Sequence, residues 1–108
     1  MASTPKVLGQ SAPAATTLTT LYTVPAATSV VASTLVICNR GSASFYRIAV
    51  RPAGAAIANQ HYIAYDVPIG TNVSSTFTIG MSLATTDVVS VYANSANLSF
   101  NLFGVENT

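Results

Sequence analysis

The amino-acid sequence predicts an all-β fold: a single antiparallel β-sandwich or small barrel with a jelly-roll-like arrangement. Short segments alternate apolar residues with Ser and Thr, which is the period of a strand that has one face in a core. Turn signals separate these segments at intervals of about ten residues. No window shows helical periodicity. The length of 108 residues fits one domain.

Residues 1–17 are predicted to form an extended arm that precedes a β-sandwich domain over residues 18–108. Ser, Thr, Ala and Pro dominate this segment, Lys6 is its one charged residue, and Val7 and Leu8 are its large aliphatic residues. Such a composition cannot build a core, so we expect the arm to become ordered only against a partner, for example by adding a strand to a neighbouring sheet edge. Lys6, Val7 and Leu8 are therefore candidate contact residues.

The remaining chain contains seven predicted strands, or eight strands if the arm contributes one. Pro25 ends the first, Asn and Gly residues mark later turns, and Gly41 is expected to supply a positive φ in the turn 39–42. Residues 80–86 are predicted to be a connection. The predicted strands cover residues 18–24, 29–39, 45–51, 60–67, 73–79, 87–93 and 98–104.

The strands 45–51 and 60–67 form a predicted hairpin that holds most of the distinctive side chains. Arg47 and Arg51 lie four residues apart and share a face, and Asp66 in the neighbouring strand could pair with one of them. Such a pair could be an exposed cross-strand ion pair. Alternatively, the arginines could anchor carboxylates or carbonyl groups of a partner. Both interpretations remain open.

Aromatic residues also concentrate in this hairpin. Strict alternation would place His61, Ile63, Tyr65 and Val67 on one side of the strand and Tyr62 on the other. Together with His61, the tyrosines could form a sugar-stacking platform or a protein-binding hot spot, or they could simply fill a small core. The absence of Trp argues against carbohydrate binding. The candidate interaction residues here are Arg47, Arg51, His61, Tyr62 and Tyr65.

The low charge content is the most unusual feature of the composition. Charged residues make up 6% of the chain, against roughly 25% in an ordinary soluble domain, and the net charge is +1. Such a surface must consist of Ser, Thr, Asn and small apolar residues, so we expect other protein copies to cover much of it. Four cations are too few to follow a phosphate backbone, and no apolar run could span a membrane, so we predict neither a nucleic-acid nor a membrane partner.

Few residues are available for chemistry. The chain has one His, three carboxylates at positions 66, 87 and 106, and one cysteine, Cys38, which is expected to be a small buried hydrophobic residue and cannot form an intrachain disulfide. This set does not provide metal-ligand spacing or a nucleophile with its base. We therefore predict a protein that is not an enzyme, with no catalytic, metal or cofactor site and no small-molecule substrate.

Several phrases of the sequence together resemble a known class. They are LYTVP (21–25), VICNR (36–40), RIAVRPAG (47–54), HYIAYDVPI (61–69) and DVVSVYA (87–93), the last followed by NLSF (97–100). Over roughly residues 18–105, the chain resembles small virion structural proteins of tailed bacteriophages, which decorate or cement capsids or occur as tail accessory proteins. The resemblance implies a β-rich subunit, symmetric oligomerisation and many copies on a particle.

The resulting hypothesis is a head decoration or cement protein that binds and stabilises the assembled shell through homo-oligomeric contacts. Its partners would be the major capsid protein and further copies of itself, as a dimer or trimer. It would assemble in the host cytoplasm and reside on the head surface of the virion, or alternatively on the tail. The alternatives are a tail or tail-fibre accessory protein and a receptor- or carbohydrate-binding module.

Overall fold

The computed structural model describes residues 2–78 and 80–108, which form two antiparallel β-sheets packed face to face. The predicted all-β sandwich is confirmed. Ile79, the last residue of the predicted strand 73–79, lies outside the described residues. No helix among the described residues combines the length and the apolar character needed to cross a membrane.

The described residues form nine β-strands and two short 3₁₀ turns, at Pro52–Gly54 and Asn59–His61. The predicted bounds of the strand 29–39 are confirmed, whereas the region 80–86, predicted to be a connection, contains a three-residue strand. The strands are β1 (Ser3–Ser11), β2 (Thr19–Thr23), β3 (Ser29–Asn39), β4 (Ser44–Arg51), β5 (Tyr62–Ile69), β6 (Ser74–Phe77), β7 (Met81–Leu83), β8 (Val88–Ala93) and β9 (Leu98–Asn107).

The strand order is that of a jelly roll. The first sheet has the order β1-β9-β3-β6, and β7 pairs with the same edge of β3, so β6 and β7 act as one interrupted edge strand. The second sheet has the order β2-β8-β4-β5. Consecutive strands therefore cross repeatedly between the two sheets, as expected for two Greek keys wound together.

The core lies between the sheets and is built from the inward positions of alternating strands. Tyr46 and Ile48 of β4 are fully buried, as the period of two predicts. The ring of Tyr46 contacts Phe100 and Phe77 edge to face, with centroid distances of 6.2 and 6.1 Å. Each aromatic pair of this kind contributes about 0.5–1.5 kcal/mol beyond its buried area, so Tyr46 links β4 firmly to the opposite sheet.

The segment predicted as an arm is different in the structure. Ser3–Ser11 forms β1 and pairs with β9 of its own chain, from Ser3 opposite Asn107 to Ser11 opposite Phe100. Leu8 sits at a bulge in this strand and joins the core with only 8% of its surface exposed. The ladder to β9 and the burial of Leu8 order the segment, so it is an edge strand of the sandwich and does not need a partner to fold.

Proline blocks the free edge of β1. Ala2 and Thr108 exchange both backbone hydrogen bonds, at 3.0 and 2.9 Å. In an antiparallel ladder bonded and non-bonded pairs alternate, so Pro5, three residues further along, directs its nitrogen away from β9 and toward solvent. A proline at that position offers no donor to an incoming strand, which disfavours edge-to-edge association.

One of the two edge strands of the second sheet, β5, also has a proline at its free edge. Phe45 of β4 directs its backbone N–H to Asn94 Oδ1, at 2.8 Å, and its carbonyl oxygen accepts from the Asn94 N–H. The peptide groups of Phe45 therefore face β8, and Pro68, which lies opposite Phe45, directs its nitrogen to the free edge of β5. Strand addition is thus disfavoured at both of these edges.

The turn that follows β3 is fixed by a buried side chain. The amide of Asn39 donates to the carbonyl oxygens of Ser42 and Gly70, at 2.8 and 2.9 Å, and its Oδ1 accepts from the N–H of Gly41. Gly41 does not adopt the expected positive φ. A Cβ at this position would lie 2.5 Å from Asn97 Nδ2, so a larger residue would have to displace the Asn97 side chain.

Candidate functional site

The outer surface of the second sheet carries an arginine held by three side chains. Arg47 Nε donates to Asp66 Oδ1 at 2.6 Å, and Nη2 donates to Oδ2 at 3.4 Å. The guanidinium carbon lies 4.1 Å from the ring centroid of Tyr65 and 4.4 Å from that of Tyr92. The hydrogen bond to Asp66 is the main cause that raises the pKa of Arg47 above its ordinary value. The expected pairing of Asp66 with one of the two arginines is confirmed.

A bulge in β5 brings these partners together. Tyr46 pairs with Val67 and Ile48 pairs with Ala64, so two residues of β5, Tyr65 and Asp66, stand opposite Arg47 alone. Asp66 has a φ of 51°, in the left-handed region that Asp tolerates better than most residues. The extra residue bends the strand and presents both side chains to the same arginine.

The bulge also overturns the predicted alternation along β5. Val67 packs against the core, whereas Tyr65 and Ile63 are exposed, with 56% and 48% of their surfaces accessible. The prediction that these residues share one face is therefore wrong. The register shift next to Ala49 turns Tyr62 to the outer surface as well, since Tyr62 pairs with Ala49.

Arg51 lies on the same outer surface as Arg47, as predicted, but its hydrogen bonds are made to groups of its own chain. Its Nε donates to Ser90 Oγ at 3.2 Å, and its Nη1 donates to the carbonyl oxygen of Ala55 at 3.0 Å. Ser90 is buried beneath it. Arg51 therefore fixes the loop that follows β4 against the sheet.

His61 is buried and organises the loop between β4 and β5. Its Nδ1 accepts a hydrogen bond from the Ala58 N–H at 3.0 Å, which closes the 3₁₀ turn Asn59–His61. The structure therefore separates His61 from the exposed tyrosines with which the sequence analysis grouped it. Its position sets where Asn59 and Tyr62 emerge at the surface.

An open depression lies beside this loop. Tyr62 and Tyr65 form one side, with ring centroids 4.9 Å apart and planes 86° from each other, and Asn59 completes the lining. The volume of the depression is about 380 Å³. The sequence analysis identified both tyrosines but missed Asn59, which carries no signal beyond its position just before the strand. We call these three residues the tyrosine depression.

The outer surface of the first sheet carries neutral residues instead of charged ones, and we call it the uncharged face. Val7 and Val31 are each 46% exposed there, and neighbouring residues are half-buried. Cross-strand rows run along it: Val7 pairs with Phe103, and Val105 lies between Pro5 and Val31. The face consists of Ser3, Pro5, Val7 and Gln10 of β1, Val31, Thr34, Val36 and Cys38 of β3, Ser74 and Thr76 of β6, Ser82 of β7, and Ser99, Asn101, Phe103, Val105 and Asn107 of β9.

Four polar side chains on the uncharged face form two hydrogen-bonded pairs. Gln10 Nε2 donates to Asn101 Oδ1, and Ser3 Oγ donates to Asn107 Oδ1, each at 2.7 Å. Cys38 lies here and is partly exposed, so the prediction of a buried hydrophobic residue is wrong. Among the described residues, no formally charged side chain lies on this face.

The charged residues nearest to the uncharged face turn away from it. Glu106 Oε2 accepts a hydrogen bond from the hydroxyl of Tyr22 in the second sheet at 2.6 Å, and Glu106 Oε1 accepts from Lys6 Nζ at 3.3 Å. The hydrogen bond from Tyr22 is the main cause that lowers the pKa of Glu106, and burial is the main cause that raises the pKa of Tyr22. Of the predicted contact residues in the first segment, Lys6 is thus ion-paired, Leu8 is in the core, and Val7 is on the uncharged face.

Every charged side chain of the protein is engaged within the chain. Asp87 accepts from the backbone N–H groups of Ala53 and Ala84, each at 2.9 Å, and Arg40 donates to the carbonyl oxygen of Ala96. The remaining charged residues make the contacts described above. The few charges of the sequence therefore support the fold, and large parts of the surface carry only neutral groups.

Comparison with protein-family models finds no match for this chain, and the searches of curated proteins and of solved structures likewise find none. Within residues 2–78 and 80–108, no three His, Cys, Asp or Glu side chains form a group that could hold a metal ion. The two outer surfaces of the sandwich are therefore the candidate functional regions.

Proposed function

We propose that this protein is a structural subunit of a multi-copy particle, namely a bacteriophage head decoration or cement protein that associates through its uncharged face. The uncharged face is the observation that carries this proposal. The sequence resemblance to small virion proteins of tailed phages supplies the class of particle. The partner of the uncharged face is a second copy of the chain, and the oligomer binds the major capsid protein of the assembled shell.

The energetics of burial favour this face. Its valines and Phe103 gain about 25 cal/mol for each Å² of apolar surface removed from water. Because its polar groups are neutral and two pairs of them already bond to each other, association requires no desolvation of an ion, which commonly costs several kcal/mol. A free monomer would expose this surface to water without the charges that normally keep proteins apart.

The dimensions of the molecule also leave room for a specific interface on this face. The two longer extents of the molecule are 44 and 27 Å, which bound a rectangle of roughly 1,200 Å². A standard interface uses about 800 Å² on each partner. The prolines at the free edges of β1 and β5 disfavour strand addition at these two of the four sheet edges, and burial of the uncharged face itself would pack the copies face to face.

Shell stabilisation would then follow from mass action. A protein that binds only the assembled shell lowers the free energy of that state and not of the dissociated subunits. An oligomer that contacts several shell subunits at once gains further affinity, because each later contact forms at a high effective concentration.

The deciding experiment is the copy number of this chain in purified virions of the phage that encodes it, measured by quantitative mass spectrometry against the major capsid protein. A ratio that matches the symmetry of the shell lattice would support the proposal. A handful of copies per particle would overturn the head assignment in favour of the tail accessory alternative. Complete absence from the virion would overturn both.

A further inference from the structure

We propose that the tyrosine depression is a binding site for an uncharged saccharide. It lies on the second sheet, on the opposite side of the sandwich from the uncharged face, so a subunit associated through that face would still present it to solvent. This inference goes beyond the assembly role and does not depend on it.

The two rings hold each other in place at one side of the depression. Their planes are 86° apart and their centroids are 4.9 Å apart, so the edge of one ring packs against a face of the other, and a ligand would stack on a ring face that this contact leaves open. The apolar C–H surface of a pyranose stacks on an aromatic face, while its hydroxyl groups stay in contact with water. The volume of about 380 Å³ lies at the lower end of the range of roughly 300–1,000 Å³ for small-molecule sites.

Asn59 supplies the polar complement. Its side-chain amide is both a donor and an acceptor, as is each hydroxyl group of a sugar. Asn59 is exposed, and its amide enters none of the hydrogen bonds found among the described residues. The partly buried bond from the Ala58 N–H to His61 Nδ1 fixes the turn that carries Asn59, so the backbone of Asn59 is held beside the rings before a ligand arrives.

The charges around the depression favour a neutral ligand. Tyr65 is stacked on Arg47, whose guanidinium is already paired with the carboxylate of Asp66. An anionic ligand would have to displace that carboxylate, and a cationic ligand would meet the arginine. The same stacking immobilises Tyr65, which reduces the entropy lost on binding.

A proline-rich peptide is the main competitor, because aromatic side chains also bind polyproline helices. Such peptides dock in extended grooves in which aromatic residues contact successive turns of the ligand. Here the two rings contact each other and make a single subsite. A single open subsite that stacks a sugar on tyrosine, in a chain without Trp, predicts weak, millimolar binding, which many copies on one particle would strengthen through avidity.

The test is a titration of the ¹⁵N-labelled full chain with methyl glycosides of glucose, galactose, mannose and N-acetylglucosamine, followed by ¹H–¹⁵N NMR. At least one glycoside should cause saturable shifts confined to amides around residues 58–66. Asn59→Ala should weaken binding about tenfold, the effect of losing a hydrogen bond of this kind. Gln60→Ala is the matched control, because Gln60 is an exposed neighbouring amide that does not line the depression.

Substitutions of Tyr65 provide a second test of the proposal. Tyr65→Ala should abolish detectable binding, whereas Tyr65→Phe, which keeps the ring, should retain it within about threefold. The proposal is overturned if no glycoside gives saturable shifts, or if Gln60→Ala weakens binding as much as Asn59→Ala. It is also overturned if a proline-rich peptide shifts these amides while the glycosides do not. None of these outcomes alters the virion copy number, so the two proposals fail separately.

Discussion

The two outer surfaces of this sandwich flank one core but differ in how they use polar groups. The uncharged face has exposed valines, half-buried apolar rows and neutral hydrogen-bonded pairs. The outer surface of the second sheet, which we call the arginine face, carries Arg47 between two tyrosines, its partner Asp66, and Arg51. The few charged residues are therefore distributed unevenly between the two outer surfaces.

This difference indicates which surface a protein partner would cover. Covering the arginine face would bury the Arg47–Asp66 pair, and the cost of desolvating two ions can exceed their mutual attraction. Covering the uncharged face removes apolar surface from water without that cost. The low overall charge therefore indicates a particular surface for a partner once the charged residues are located in the structure.

The largest expected effect comes from placing a charge on the uncharged face. Val31→Asp should weaken self-association by about 100-fold or more, because the carboxylate would be buried without a partner. Sedimentation velocity over a range of concentrations would measure this effect.

Ile63→Asp is the matched control, since Ile63 is 48% exposed on the opposite sheet, compared with 46% for Val31. It should leave the sedimentation profile unchanged. Equal effects of the two substitutions, or no effect of Val31→Asp on an oligomer that does form, would remove the distinction between the two faces.

A smaller effect is expected from dismantling the arginine cluster. Arg47→Ala removes two cation–π contacts of about 0.5–1 kcal/mol each and a partly exposed ion pair worth up to about 1 kcal/mol. The free energy of unfolding should fall by about 2 kcal/mol in urea titrations, with unchanged self-association. Arg40→Ala, which loses one hydrogen bond from an exposed arginine, should cost less. Loss of oligomerisation in Arg47→Ala alone would show that the arginine face is the interface.

Strand positions and the main ion pair could be predicted from the sequence because they depend on local patterns. The β-branched run 29–39 and its flanking turns give the bounds of β3. Arg47 and Asp66 lie in consecutive strands of a hairpin, so their proximity follows from antiparallel pairing. The inward positions of Tyr46 and Ile48 follow from the same alternation.

The features that were missed depend on long-range register. The bulge at Tyr65 and Asp66 exists because of how β5 aligns with β4, and no local pattern marks it. β1 gains its order from the far end of the chain, where β9 offers an unpaired edge, so its composition alone is misleading. Asn59 joins the tyrosines only through the loop that His61 closes.

The smallest expected effect concerns the junction between the two sheets. Glu106→Gln should lower the free energy of unfolding by about 1 kcal/mol at neutral pH, because a charged acceptor for Tyr22 and Lys6 becomes neutral. The pKa of Glu106 is lowered in the folded protein, so its contribution is complete above the ordinary pKa of a glutamate and is lost as the pH falls through the lowered value.

Urea titrations at a series of pH values would test this prediction. The difference in stability between the wild type and Glu106→Gln should shrink as the solution is acidified below the ordinary glutamate pKa. Self-association and glycoside binding should both be unaffected by the substitution at neutral pH, since Glu106 faces neither outer surface. A stability difference that stays constant across this pH range would show that the carboxylate does not link the sheets through its charge. The contact between the two sheets at this point would then depend on packing around Tyr22.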